Sequence, residues 1–317
     1  MNYPFAIPID DEIRQIKSRI AEKKEILDTH RPLSYTIVER LRQDFTVEWT
    51  YNSNHIEGNT LTLSETKMIL EDGLTIGGKT LREHFEVINH RKAILFLEDL
   101  LDQNSKMRSL DLLSIHRLVM TNVMDDFAGR FRQGMVRIVG ANFTPPNASK
   151  VPDLIDELID YITTNPDHHD VIPLATIFHH KFVWIHPFND GNGRTVRLAM
   201  NLILMREGYP PPYILASDRK KYINAIQQAN NGQYQKLLLM MYQAVERSLN
   251  LYNSALGGPY DDYEPISTIA MEPSIPYGQE YISLLARRGW IDAYKEGKTW
   301  LTTQKAVKDY MLQKGKI

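Results

Sequence analysis

Apolar residues recur at helical spacing along most of the chain. Between residues 10 and 105, Ile13, Ile16 and Ile20, then Ile88, Leu95 and Leu97, set a helical rhythm against a background rich in Glu and Lys. Pro32 and the stretch holding Gly73, Gly77 and Gly78 interrupt it. Leu112, Ile115 and Val119 fall at i, i+3, i+7 of a further helix, while Pro152 and Pro173 stand where a first helical turn accepts proline. Val196, Ala199, Leu202 and Ile203 predict a buried helix from Gly191 to Glu207, stopped by Gly208 and the Pro210–Pro212 run. Two more helices are expected near residues 218–230 and 233–252.

Strand signals are few. RFRQGMVRIVGANFTPPNAS carries short β-branched runs punctuated by Gly and Pro-Pro, which predicts an irregular hairpin over residues 130–151. After the linker LGGPYDDYEP comes a helix around Tyr277–Arg288, alternation at Trp290–Tyr294, a turn at Glu296-Gly297 and a second run at Thr299–Thr302, the order of a winged-helix hairpin. The fold class expected is mainly α: a helical core with a β-hairpin flap, an N-terminal helical region and a small C-terminal winged-helix-like module. The boundaries drawn are 1–105, 106–250 and 262–317.

Composition narrows the chemistry. The 317 residues carry 37 Lys and Arg against 39 Asp and Glu, a net charge of −2, so there is no global basic surface for nucleic acid or anionic lipid. The absence of cysteine excludes disulfides, zinc–cysteine sites, iron–sulfur ligation and thiol catalysis. No apolar run approaches the roughly 20 residues of a membrane span, and the N-terminus lacks a signal-peptide pattern. A soluble, cytoplasmic protein without membrane partners is expected.

The chemistry concentrates in His186-Pro-Phe-Asn-Asp190-Gly-Asn-Gly-Arg194-Thr-Val-Arg197, a polar loop leading into an apolar-periodic helix. Gly191 and Gly193 flank Asn192 and let successive backbone N–H groups converge, and the helix N-terminus adds its unpaired donors and dipole, making an anion nest. Arg194 and Arg197, three residues apart, share one face and can reach the same polyphosphate. Asp190 is a hard oxygen ligand suited to Mg²⁺ shared with phosphate. His186 is a candidate general base for a hydroxyl nucleophile. There is no G-x-x-x-x-G-K-[ST], G-x-G-x-x-G or H-E-x-x-H pattern. His179 and His180, on a helix with Phe178 and Phe182, read as structural.

This stretch resembles, position for position, the HxFx(D/E)GNGRxxR signature of the Fic family of protein-modifying nucleotidyltransferases. The resemblance spans roughly residues 45–250. It implies transfer of AMP from ATP to a hydroxyl of a target protein or of the chain itself, with His186 as base, Phe188 buried, Asp190 orienting Mg²⁺, Gly191, Asn192 and Gly193 holding phosphate oxygens, and Arg194 and Arg197 binding the outer phosphates. A second match, Ser53-Asn-His-Ile-Glu57-Gly58, is similar to the family's [ST]xxxE[GN] inhibitory helix. A glutamate at a helix C-terminus opposes the macrodipole, which calls for a tertiary cation; the resemblance supplies Arg197, whose pairing with Glu57 would keep the γ-phosphate out.

The resemblance further implies a flap at 130–151 that docks a target segment by main-chain pairing, with Val139, Gly140 and Ala141 on its nucleotide side, and adenine or ribose contacts from Tyr222 and Asn230. Self-modification and a homodimer are likewise expected from the family. Two rival readings stand beside transfer. One is a related reaction on the same scaffold, such as removal of AMP with Glu57 aligning water. The other is a nucleotide-sensing regulator that binds DNA through the C-terminal module, whose residues 271–317 hold 8 Lys and Arg against 5 Asp and Glu; so small an excess does not favour DNA binding.

Overall fold

In the computed structural model, residues 10–103, 106–138, 143–257 and 262–316 are described. In chain order the helices are α1 (Asp11–Thr29), α2 (Tyr35–Ile56), α3 (Leu63–Asp72), α4 (Leu81–Asp102), α5 (Ser109–Met120), α6 (Val151–Thr164), α7 (Val171–Ile185), α8 (Asn192–Arg206), α9 (Arg219–Asn230), α10 (Gln235–Ala255), α11 (Ile266–Ile269), α12 (Gln279–Arg287) and α13 (Gln304–Gln313). The strands are β1 (Glu264–Pro265), β2 (Ala293–Glu296) and β3 (Thr299–Thr302). The mainly α expectation therefore holds. Among the described residues no helix is long and apolar enough to cross a membrane.

The described residues divide into two units, one spanning residues 42–234 and the other joining residues 10–41 to residues 235–316. The first is built around α7 and α8, with α4 and α5 packed on α8, and α6 on α7. Both central helices are buried on nearly every face, from Ile172 to Ile185 and from Asn192 to Leu204, so neither shows the one-sided pattern of a surface helix. Capping boxes at Thr62 with Glu65 and at Thr80 with Glu83 fix where α3 and α4 begin. Pro152 lies in the first turn of α6 and Pro173 in that of α7. Ile94, Leu97 and Leu100 carry the buried stripe of α4, whereas Leu95 is exposed, so the spacing that begins at Ile88 passes Leu95 by.

The hairpin expected over 130–151 is not found among the described residues, which form no strand there and close with a short 3₁₀ turn at Ala148–Lys150. Arg132 is buried and uses its own N–H and side chain to bond the Pro187, His186, Gly134 and Pro146 carbonyls, so it ties both ends of this segment to the neighbouring loop. Val139, Gly140 and Ala141 lie outside the described residues.

In the second unit α1 packs along α10 through Ile13, Ile16 and Ile20. Lys23, nearly fully buried, bonds Glu246 at 3.0 Å and Asp292 at 2.6 Å, and Arg19 meets Glu246 at 2.7 Å, so each buried charge has a counter-ion. Contacts thus group α1 and α10 with the C-terminal helices. The three strands pair antiparallel in the order β1-β3-β2, with Tyr294 opposite Leu301. Ile266, Ile282, Leu285, Ile291 and Val307 fill the space beneath, and Trp290 and Trp300 pack against them.

Candidate functional site

The site is assembled where α7 ends and α8 begins. His186 caps α7 in the left-handed region at φ +50°, its N–H bonded to the Phe182 carbonyl. That conformation is costly for a residue with a side chain and persists only where its surroundings over-determine it. Arg132 does so: its Nε donates to the His186 carbonyl at 2.8 Å, its Nη2 to that of Ile185 at 3.3 Å, and its backbone N–H to that of Pro187 at 2.9 Å.

Phe188 is completely buried. Its ring stacks on His116 with centroids 3.6 Å apart and planes 2° from parallel. His116 Nδ1 accepts the Gly129 N–H at 3.0 Å, which leaves Nε2–H to donate to the Asp190 carbonyl at 3.0 Å. Burial lowers the His116 pKa to about 4, against an upward pull from the Asp190 carbonyl, so the ring is neutral in this tautomer. Asn192 closes the loop from inside, accepting the Phe188 N–H at 2.9 Å and donating to the Phe188 carbonyl at 2.8 Å. Its side chain is therefore spent on the loop, not on a phosphate.

Gly191, at φ +74°, has no room for a side chain: a Cβ would lie 2.7 Å from Met120 Sδ. Asp190 Oδ1 accepts the Gly191 N–H at 2.7 Å, and its Oδ2 accepts from Arg82 Nη2 at 2.9 Å. Burial would raise the Asp190 carboxyl; Arg194, the Gly191 amide and Arg82 outweigh it and hold the carboxyl below its ordinary range. Arg194 is buried, with Nη1 3.1 Å from Glu86 Oε1 and Nη2 3.7 Å from Asp190 Oδ1. The Glu86 contact lacks hydrogen-bonding geometry, so it is an ion pair only.

Glu57 reaches this loop from 129 positions upstream of His186. α2 ends at Ile56, Gly58 turns the chain at φ +102°, and the Glu57 carboxylate lies 2.8 Å from Arg197 Nη2. Arg197 is buried and also donates to Ser53 Oγ at 3.0 Å and to the Ser53 carbonyl at 2.7 Å. Burial alone would lower the Arg197 pKa; Glu57 reverses it and keeps the guanidinium charged. A Cβ on Gly193 would sit 2.0 Å from Glu57 Oε1. The carboxylate thus occupies the mouth of the nest at the N-terminus of α8, where an anion is favoured.

His186 is half-buried, and its Nδ1 is enclosed by protein. Burial brings its pKa down to about 4; the Val183 carbonyl opposes this, and the Arg132 charge adds to it. The imidazole is therefore neutral at pH 7 and able to take a proton. His179 and His180 are structural, as the sequence suggests: His179 Nε2 meets the Tyr222 hydroxyl at 2.6 Å, and His180 bonds Asn230 Oδ1 at 2.8 Å and the Tyr234 hydroxyl at 2.6 Å.

These bonds alter two expectations. Tyr222 is buried, with its hydroxyl on His179 and Arg197 and its pKa raised to about 12 by burial, so its ring offers no open face to a base. Asn230 has its carbonyl oxygen on His180, which leaves the amide NH₂ as its remaining polar end. Sequence spacing missed Arg82 and Glu86 on α4, His116 on α5 and Arg132 in the segment after α5, because all four come from parts of the chain remote from the loop; the one available signal, for Glu86 and His116, was a polar residue at a buried helical position.

The donor set around Asp190 is one carboxylate beside an amide nest. It matches the way Mg²⁺ binds, through one or two carboxylates with phosphate oxygens completing the shell. Among the described residues no three His, Cys, Asp or Glu side chains gather into a protein-only cage.

Comparison with known proteins identifies relatives of this chain. The Fic/DOC family model matches residues 106–204. The protein adenylyltransferase Fic of Nematostella vectensis is 34% identical over 241 residues, covering 75% of this chain and 56% of the relative. The chain spans about half the length of the curated relatives it matches. A solved segment of Fic-1 from Caenorhabditis elegans is 33% identical, with a TM-score of 0.68 over 76% of this chain and 72% of that one. A Fic domain containing signaling protein from Bacteroides thetaiotaomicron is 26% identical, with a TM-score of 0.69 over 77% of this chain and 98% of that one.

Proposed function

Because the chain belongs to the Fic/DOC family, we propose that it is a protein adenylyltransferase restrained by its own Glu57. Neutral His186 takes the proton of a protein hydroxyl, and the freed oxygen attacks the α-phosphorus of ATP. The bond to the β-phosphate oxygen breaks, diphosphate leaves, and the proton resides on the imidazole. The amides of Gly191 to Gly193, with Arg194 and Arg197, hold the phosphates and meet the charge that builds in transfer. Asp190 is the residue that would hold Mg²⁺, which supplies charge neutralisation shared with the phosphate oxygens. Tyr222 acts through Arg197 and His179, and Asn192 through Phe188, as positioning residues.

One observation carries the restraint. The Glu57 carboxylate lies 2.8 Å from Arg197 and in the space a Gly193 side chain would take, so the outer phosphate and Glu57 compete for one cation and one nest. We read residues 130–151, rooted by Arg132, as the place where a target segment docks. The β1-β3-β2 sheet with α12 and α13 supports a winged-helix-like module, and its small basic excess favours protein docking over DNA.

The test is intact mass spectrometry of the chain after incubation with Mg²⁺ and ATP, alone and with candidate target proteins. Glu57→Gly is expected to gain AMP on itself or on a target at least about tenfold faster than the parent, by removing the carboxylate that competes for Arg197 and the nest, a change of about 1.4 kcal/mol. Glu57→Gly with His186→Ala is expected to gain none. Equal rates for the parent and Glu57→Gly would refute the restraint.

A further inference from the structure

We propose that Arg82 guards Asp190, occupying the carboxylate oxygen that a divalent cation would take and yielding it when metal and nucleotide arrive together. This inference rests on the reading of Asp190 as the Mg²⁺ ligand. The two oxygens of Asp190 have unequal freedom. Oδ1 is engaged by the Gly191 N–H at 2.7 Å and faces Arg194 at 3.7 Å, so Oδ2 is the oxygen left for another cation. Arg82 Nη2 sits on it at 2.9 Å.

Mg²⁺ binds carboxylate oxygen at about 2.0–2.1 Å. A metal ion and a guanidinium on the same oxygen would be adjacent like charges, so the two compete for it. Arg82 is able to leave without being set adrift. Its Nε is 3.2 Å from Glu86 Oε1, one turn along α4, and its side chain is 52% exposed, so rotation of the guanidinium about that anchor frees Oδ2 into solvent-accessible space. An exposed pair of this kind is weak and readily broken. Arg82 therefore biases the order of events rather than closing the site: without metal it neutralises Asp190 beside the nest, and with metal it hands that duty over.

The consequence is a thermodynamic coupling that can be measured without turnover. The experiment uses the full chain carrying Glu57→Gly, so that the nest is open, and calorimetric titration with α,β-methylene-ATP, which cannot transfer AMP, in Mg²⁺ and in EDTA. The quantity read is the ratio of the two affinities. Arg82→Gln is expected to raise that ratio about fivefold, the factor corresponding to the upper end of an exposed ion pair's energy. Binding should tighten with Mg²⁺ and weaken in EDTA, because Asp190 is then bare. An unchanged ratio, or equal weakening in both conditions, would overturn the guard; the second result would mean that Arg82 touches the nucleotide itself. Asp190→Asn separates this inference from the reading beneath it. It should bring the ratio close to one with Arg82 present or replaced, and a ratio unaffected by Asp190→Asn would reject Asp190 as the ligand and the guard with it.

Discussion

At Gly193 the lack of one methyl group decides what the nest holds, because a Cβ would stand 2.0 Å from Glu57 Oε1. The same tightness recurs at His116, where both ring nitrogens are bonded and one ring face is covered by Phe188. His116→Phe keeps the stacking surface and removes both hydrogen bonds. It leaves the Gly129 N–H and the Asp190 carbonyl without a partner, each at a cost of about 1–3 kcal/mol if kept from water. The expected outcome is a loss of about 2 kcal/mol or more in urea denaturation, together with AMP transfer about tenfold slower in the Glu57→Gly background, because the Asp190 backbone is no longer fixed. Unchanged transfer at reduced stability would make His116 a packing residue only. No spacing along the chain signals it, since His116 and Asp190 are 74 positions apart and meet only through the packing of α5 on α8.

Among the elements, α2 matters most for the proposed restraint, and its end is held from outside. Arg219 Nε donates to the Ile56 carbonyl at 2.6 Å, and the Ala216 N–H donates to Asn52 Oδ1 at 2.8 Å. A cation at a helix C-terminus satisfies an unpaired carbonyl and complements the dipole. Here it also offsets the placement of Glu57 just past that terminus. Arg219→Ala is expected to loosen the last turn and raise AMP transfer of the Glu57-containing chain about two- to fivefold, by the roughly 0.5–1 kcal/mol such a contact contributes. Mass spectrometry with ATP reads this directly, and a rate equal to the parent's would show that α2 is held by its packing alone. The starts of α6 and α7 and the stop of α8 were legible because prolines and glycines act through neighbouring residues. What anchors the segment at 130–151 was not legible in this way, because Arg132 bonds the His186, Gly134 and Pro146 carbonyls from a buried position that no local rule anticipates.

For the whole molecule, the unit spanning Arg42–Tyr234 carries five enclosed histidines whose pKa values burial pushes down: His90 and His179 to about 3, and His116, His180 and His186 to about 4. Above pH 6.5 they are neutral in folded and unfolded chains alike. As pH falls below 6.5 the unfolded chain binds protons that the folded one refuses, so stability declines until the folded values are reached. Each histidine accounts for on the order of 3 kcal/mol at its limit, against a total domain stability of about 5–15 kcal/mol. The expected result is a melting temperature that drops steeply from pH 6.5 toward pH 4, with proton uptake on unfolding seen by calorimetry in buffers of different ionisation enthalpy. A flat profile over that range would mean that these rings are hydrated in the folded state.

The sequence by itself determined what depends on neighbours along the chain. Helical periods, caps and the His186–Arg197 loop were all legible, since each is written in residues within a turn or two of one another. It also placed Glu57 against its local dipole, a conflict that pointed to a distant cation. The tertiary structure alone decided which groups converge across long separations: Arg82 on Asp190 from 108 positions away, Arg132 beneath His186 from 54, and Tyr222 turned inward onto His179 rather than outward to a base. Those pairings follow from how buried polar groups find partners once the helices are packed, and one chain read in order holds no period or motif that records them.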